Sequence, residues 1–290
     1  MLSIQAALQQ GTALLEKAAI GAPRLTAEVL LCHALHRERV YLYAHATDPL
    51  TEVAWIHYGR YLHERMQGKP TQYITGRQEF FGREFRVSPD VLIPRPETEH
   101  LVEAAMARLS PGDRVLDAGT GSGAIAVTLA LETSARVFAC DLSLPALEIA
   151  AANGARLGAR VCWLAADLAS ALSDHSLDML VSNPPYVSSV DEPTLQHEVR
   201  AWEPHLALFA GPTGAEVYLR LIEQARRVLK PGGWLLLELG YNSLEPVRSM
   251  LSMLSMLGVP DMEVIPDLAG FPRVLAAKLT PCHHAHLLPR

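Results

Sequence analysis

The sequence predicts an α/β protein: a mostly parallel, doubly wound sheet preceded by a small helical bundle and a β-hairpin. Three observations carry this. From residue 114 onward, short apolar runs alternate with stretches of helical periodicity. A glycine-rich turn follows the first of those runs, and the first seventy residues show helical spacing alone. The 290 residues suffice for two modest domains, and 49% hydrophobic against 19% charged excludes disorder.

Composition removes several classes of function. The longest uncharged apolar runs fall short of the ~18 residues that a membrane helix needs. The opening Met-Leu-Ser-Ile-Gln-Ala lacks the basic stretch of a signal peptide. Four scattered cysteines (Cys32, Cys140, Cys162, Cys282), with no Cys-x-x-Cys pair, suit free thiols in a reducing cytosol better than disulfides or a zinc site. The net charge of −6 disfavours a broad nucleic-acid surface, so neither membrane nor stable nucleic-acid binding is expected. That charge is unevenly spread. Residues 1–95 carry 11 basic and 9 acidic side chains (+2), and residues 96–290 carry 14 and 22 (−8).

The elements follow in order. Ile4 onward places apolar residues at three-to-four spacing, a first amphipathic helix that stops before Pro23. Leu25–His36 reads as a second, with Thr26 or a neighbour as its cap, and a third runs from about Thr51 to Met66. Trp55, Tyr58 and Tyr61 fit core positions, and the five separate histidines from His33 to His63 do not suggest a metal. From Tyr73 aromatic and β-branched residues alternate with polar ones around Gly76 and Gly82, which predicts a β-hairpin. The domains are therefore placed at 1–72 (helical), 73–95 (hairpin linker) and 96–290. In the last, strands are predicted at 114–117, 136–141, 160–164, 177–182 and 233–239. Helices fall at 124–132, 145–157, 215–229 and 243–257, and the chain closes with strands near 262–265 and 273–278. Such a sheet takes ligands at the carboxyl ends of its strands.

Gly119-Thr120-Gly121-Ser122-Gly123 is the turn after the first strand of this domain. Glycines let backbone approach a ligand closely, and the next helix begins with free N–H groups. Asp141 ends the second strand, where a carboxylate can accept from ribose hydroxyls. The turn alone leaves the ligand open. Gly119-x-Gly121-x-x-Ala124 satisfies the loose dinucleotide fingerprint, whereas Asp117 two positions ahead of Gly-x-Gly-x-Gly leans towards S-adenosylmethionine; a tight turn without ligand is the third reading.

Asn183-Pro184-Pro185-Tyr186, directly after the fourth strand, narrows the choice. Paired prolines stiffen the chain. The Asn183 side-chain carbonyl and the Pro184 backbone carbonyl offer two acceptors for both hydrogens of a planar –NH2, with Tyr186 as a flat wall. Holding an amide or base amine in this way, in line with a methylsulfonium, supplies proximity and favours a localised nitrogen lone pair.

With these motifs the sequence resembles the bacterial peptide chain release factor N5-glutamine methyltransferase family. The resemblance rests on Phe80-Phe-Gly-Arg-Glu-Phe85, Pro94-Arg-Pro-Glu-Thr-Glu99, Asp117-Ala-Gly-Thr-Gly-Ser-Gly123 and Asn183-Pro-Pro-Tyr186, and covers nearly the whole chain. It implies a Rossmann-like class I methyltransferase domain with an antiparallel last strand. It also implies S-adenosyl-L-methionine as donor, S-adenosyl-L-homocysteine as product, and a cytoplasmic role in translation termination. The substrate would be the glutamine of the Gly-Gly-Gln motif of class 1 release factors, docked by the N-terminal helices. Asn183, Pro184 and Tyr186 would be catalytic, binding substrate together with Pro185. Gly119, Thr120, Gly121, Ser122, Gly123, Asp141, Asp167, Leu168 and Asn183 would hold the cofactor, with the Pro94–Glu99 segment beside it. Leu168 departs from the family's usual aromatic, leaving an apolar contact at most. The alternatives are a ribosomal-protein glutamine, an exocyclic amine of a nucleic acid, or a cofactor-binding module without catalysis. No metal is expected: the Cys282-His283-His284-Ala-His286 cluster reads as a tail, and Arg226, Arg227 and Lys230 as structural charges at a helix end. Glu192, Glu198 and Glu203, in the loop after Tyr186, have no assigned role.

Overall fold

A computed structural model describes residues 2–254 and 261–279. They form two units: one comprises residues up to Arg77 together with Gln196–Trp202, the other Gln78–Leu195 and the described residues from Glu203 onward. The cysteine- and histidine-rich cluster at 282–286 lies outside the described residues, as does the end of the helix expected to reach Leu257.

The first unit contains α1 (Ile4–Lys17), α2 (Pro23–Leu35), α3 (Arg39–Ala44), α4 (Glu52–Met66) and α5 (Thr71–Thr75). Ser3 and Thr51 cap α1 and α4, their side chains accepting from the Ala6 and Ala54 amides. Thr26 is no cap: α2 starts at Pro23, whose fixed φ suits a first helical position, and the Thr26 hydroxyl donates to Gly21 O at 3.4 Å. Leu8, Leu15, Leu30, Leu31, Leu62 and fully buried Tyr58 form the core of this unit. Gly11 lets α1 meet α4, because a Cβ there would lie 2.0 Å from the Tyr58 hydroxyl. Residues 71–75 are helical where the sequence suggested the hairpin had begun; the left-handed Gly76 ends that turn.

The second unit opens with the hairpin of β1 (Arg77–Phe80) and β2 (Arg83–Arg86). Phe81 (φ +51°) and Gly82 (φ +68°) make its two-residue turn, with both φ values positive as a type I′ turn requires. A 3-10 turn, Pro96–Thr98, leads into α6 (Glu99–Met106). There follow β3 (Arg114–Ala118), α7 (Ala124–Glu132), β4 (Arg136–Asp141), α8 (Leu144–Leu157), β5 (Val161–Ala165) and β6 (Leu177–Ser182). A short parallel ribbon pairs β7 (Val187–Ser188) with β8 (Phe209–Gly211), the short helices α9 (His197–Trp202) and α10 (His205–Leu208) falling between them in sequence. The chain continues through α11 (Glu216–Val228), β9 (Leu229–Glu238), α12 (Leu244–Leu254), β10 (Asp261–Pro266) and β11 (Pro272–Lys278).

The seven-stranded sheet has the order β10-β11-β9-β6-β3-β4-β5. β9, β6, β3, β4 and β5 run parallel, and β11, the last strand, is antiparallel to β9. Side chains alternate between two cores. Val115, Met179, Val181 and Leu236 join α6 and α7 on one face; Leu116, Leu180, Leu235 and Leu237 join α11 and α12 on the other. This is a Rossmann-like class I methyltransferase architecture. β3 leads outward to β4 and β5, whereas β6 returns to the other side of β3. The carboxyl ends of β3 and β6 therefore flank a switch point, where doubly wound sheets bind ligands.

Candidate active site

The first half of the site is the turn after β3. The amides of Gly119 and Thr120 both donate to Cys140 O at 2.9 Å, tying the turn to β4. Gly119, Gly121 and Gly123 have φ of +76°, +55° and +83°, values that L side chains rarely adopt. Open space, with no heavy atom within 4 Å, lies where a Cβ would stand on Gly119 or Gly121. Gly123 is different: its Cβ would press on Ala150 at 3.1 Å and Trp163 at 3.3 Å, so this glycine serves helix packing. Asp141 accepts from the Gly121 amide through Oδ2 and from the Ser143 amide through Oδ1, each at 2.9 Å. It thereby orders the turn and the start of α8, while each oxygen keeps a further lone pair.

Asp117 lies beneath the turn, fully buried. Its Oδ2 accepts from the Thr120 hydroxyl (2.6 Å) and the Ala126 amide (3.1 Å), and Oδ1 has no partner among the described residues. Burial pushes its carboxyl up to about 7, with Asp141 adding repulsion. Open space over two glycines, an orphaned carboxylate oxygen and a lone-pair-bearing Asp141 fit a ligand that is cationic and carries hydroxyls, as S-adenosylmethionine is.

The second half follows β6. Asn183 Nδ2 donates to the Thr98 hydroxyl at 3.2 Å, so its Oδ1 remains to accept from a ligand. Pro184 is buried, and Tyr186 is held by two glycines. A Cβ on Gly240 would meet the Tyr186 ring at 2.6 Å, and one on Gly214 its carbonyl oxygen at 2.6 Å. A cavity of about 230 Å³ opens beside the Tyr186 ring, with Ser188, Thr213, Tyr218 and Asn242 in its wall. The Tyr186 hydroxyl is pushed up to about 12 by burial, so it stays protonated at neutral pH.

The Pro94–Glu99 segment makes three side-chain contacts, one of them to this half. Arg95 pairs with buried Glu203, Thr98 holds Asn183, and Glu99 accepts from the Phe81 amide at 2.8 Å. The last contact fixes the hairpin turn to α6. Glu203 also accepts from the Ile93 amide at 3.3 Å, which gives that loop residue a structural role. Glu198 pairs instead with Arg65 at 2.6 Å inside the first unit.

Asp167 pairs with Arg220, a partner the sequence did not suggest. Leu168 is half-buried and left-handed, φ +53°, while its carbonyl oxygen accepts from the Cys140 thiol at 2.9 Å. Such a conformation costs a leucine roughly 1–2 kcal/mol. Strain of this kind collects at functional sites. Asn153 escaped the sequence reading altogether. Fully buried on α8, it donates to Ser122 O (2.9 Å) and Arg86 O (3.0 Å) and accepts from the Arg86 amide (2.8 Å). It bolts the glycine turn to the hairpin strand. Arg227 donates to Leu172 O at 2.6 Å and Lys230 pairs with Asp178 at 2.7 Å, both structural contacts. No cluster able to hold a metal occurs among the described residues, nor any helix long and apolar enough to cross a membrane.

Comparison with known proteins agrees with this fold. Residues 6–76 match the PrmC N-terminal domain family and residues 96–201 the methyltransferase small domain family. The chain is 46% identical over 269 residues to a release factor glutamine methyltransferase of Koribacter versatilis, covering 91% of this chain and 94% of that one. It is 42% identical to the enzyme of the same name from Nitratidesulfovibrio vulgaris, covering 95% of both. A methyltransferase structure from Pyrococcus furiosus shares the fold at a TM-score of 0.53 and 19% identity, covering 70% of this chain and 91% of that one. On the strength of the two relatives, the chain belongs to the release factor glutamine methyltransferase family.

Proposed function

We propose that this chain transfers a methyl group from S-adenosylmethionine to N5 of the glutamine in the Gly-Gly-Gln motif of class 1 peptide chain release factors, in the cytoplasm. One observation carries the reading. Asn183 is held through Nδ2, which leaves its Oδ1 to accept at the switch point, just after β6, the neighbour of the strand that leads into the glycine turn. Such an acceptor, with the Pro184 carbonyl, suits a neutral –NH2 group and offers nothing to a carboxylate or phosphate.

Bound cofactor supplies an electrophilic methyl carbon on a sulfonium. Gly119–Gly123, Asp141, Asp167 and Leu168 would hold it. Asn183 Oδ1 and the Pro184 carbonyl would fix both hydrogens of the amide, Pro185 would stiffen that turn, and Tyr186 would lie against the amide plane. This arrangement turns the amide nitrogen towards the methyl group and counters delocalisation of its lone pair. The carbon–nitrogen bond would form as the methyl–sulfur bond breaks, with S-adenosyl-L-homocysteine as the leaving group, and the surplus proton would then leave the nitrogen for solvent, so no strong base is required. The N-terminal unit, residues 1–72 with its hairpin linker to residue 95, would select the protein partner, because a tripeptide in a pocket cannot specify one protein.

The test uses methyl-labelled cofactor with a release factor and with its Gln→Ala variant at the Gly-Gly-Gln motif. Label on the unaltered factor alone supports the assignment; equal label on both defeats it.

A further inference from the structure

Glu238, the last residue of β9, is 2% exposed, and its Oε2 has no partner among the described residues. Its carboxyl lies next to Thr98, the same residue whose hydroxyl oxygen accepts from Asn183 Nδ2. Thr98 is itself buried. Nothing in the proposed chemistry above uses this carboxylate.

We propose that Glu238 is a positioning residue for the methyl-acceptor site: through the Thr98 hydroxyl it fixes which end of the Asn183 amide faces the substrate. The inference rests on the function proposed above. Exchanging O and N of an Asn side chain is nearly neutral in shape, so hydrogen bonding decides between the two orientations. A threonine hydroxyl has one proton. When that proton goes to an ionised Glu238, the Thr98 oxygen presents only lone pairs, and Asn183 must turn its –NH2 there. Its carbonyl oxygen then faces the incoming –NH2. When Glu238 is protonated it becomes the donor to Thr98, whose own proton is released to Asn183 Oδ1. The amide then turns over and sets a donor against the substrate's donor.

The surroundings make this carboxyl titratable in the neutral range. Burial pushes it up to about 7. The groups facing it are Arg273, Glu97 and Arg95, with the Tyr186 and Tyr218 hydroxyls. Both cations are shared: Arg95 pairs with Glu203, and Arg273 with Asp267 at 2.9 Å. Neither is therefore free to hold Glu238 fully ionised against desolvation.

The experiment compares wild type, Thr98→Val, Thr98→Ser and Glu238→Gln in methylation of a release factor at saturating cofactor from pH 5.5 to 8.5. Cofactor affinity and thermal melting are measured alongside. Thr98→Val keeps the shape but breaks the relay, and should lower kcat about 10- to 100-fold with cofactor affinity within threefold of wild type. Thr98→Ser should regain at least about tenfold over the valine variant. In Glu238→Gln the fall in kcat below pH 7 should lose the ionisation due to Glu238, so its midpoint moves down by more than half a unit. Wild-type turnover in Thr98→Val, or an unaltered acid limb in Glu238→Gln, overturns the inference. Should Thr98→Val not fold, the Glu238→Gln profile decides alone. Failure of the wild type to label the glutamine would instead strike the function proposed above, so the two failures are distinct.

Discussion

Asp117 allows the sharpest test of how the site is balanced, through the substitution Asp117→Asn. The native carboxyl is fully buried and pushed from its ordinary 3.8 up to about 7. A raised carboxyl pKa means that the folded state binds a proton more tightly than the unfolded chain. Stability is therefore full at low pH and declines as pH rises from about 4 through 7. For one such group the decline between pH 5 and pH 8 is about 2–3 kcal/mol. Asparagine keeps an acceptor for Thr120 and Ala126 and removes the titration. The assay is urea unfolding without cofactor at both pH values, followed by the fluorescence of Trp163 and Trp234, which pack against the core of the second unit. Glu238 titrates in the same direction in both proteins, so only the difference between them is read. The variant should gain about 2–3 kcal/mol on wild type between pH 5 and pH 8. A gap that stays constant within about 0.5 kcal/mol would show that Asp117 is ionised at no unusual cost, and the reasoning would fail.

Other outcomes follow from the same contacts. Asn183→Ala should cut methylation at least about 100-fold while calorimetry finds cofactor affinity changed less than fivefold. Asn153→Ala leaves Ser122 O and both backbone groups of Arg86 without their partner; urea unfolding should show a loss of about 2–4 kcal/mol, with weaker cofactor binding. Gly123→Ala combines a left-handed φ with contacts at 3.1 and 3.3 Å, so it should lower the melting temperature more than Gly119→Ala, which meets only the conformational cost.

Much of this was legible in the chain, for physical reasons that also mark its limits. The parallel strands are buried on both faces and so read as apolar runs, such as Leu177–Ser182, and their alternation with helices dictates the sheet. The glycine turn and Asn183–Tyr186 stand out because each is a run of neighbouring residues. Contacts made across long separations do not. Thr98 and Glu238 lie 140 residues apart, Arg95 and Glu203 108, and nothing local marks any of them. Asn153 looks like any polar residue on an amphipathic helix until its burial is seen. The helices α3 and α5, of six and five residues, span too few turns to show a period. Leu168 could not be foreseen as left-handed, since leucine avoids that conformation and only the surrounding structure imposes it.

Residues 196–202 leave the second unit to join the first and then return, with Glu198 on Arg65 and Trp202 beside Lys69. The polypeptide consequently crosses between the units three times: after Arg77, before Gln196 and after Trp202. A domain joined by one crossing can be exchanged between genes as a single uninterrupted cassette. This one cannot. Transplanting residues 1–77 alone would strip Arg65 of its carboxylate and strand a seven-residue insert in the catalytic unit. If the first unit selects the partner, as proposed above, a chimera meant to redirect the enzyme must carry both pieces.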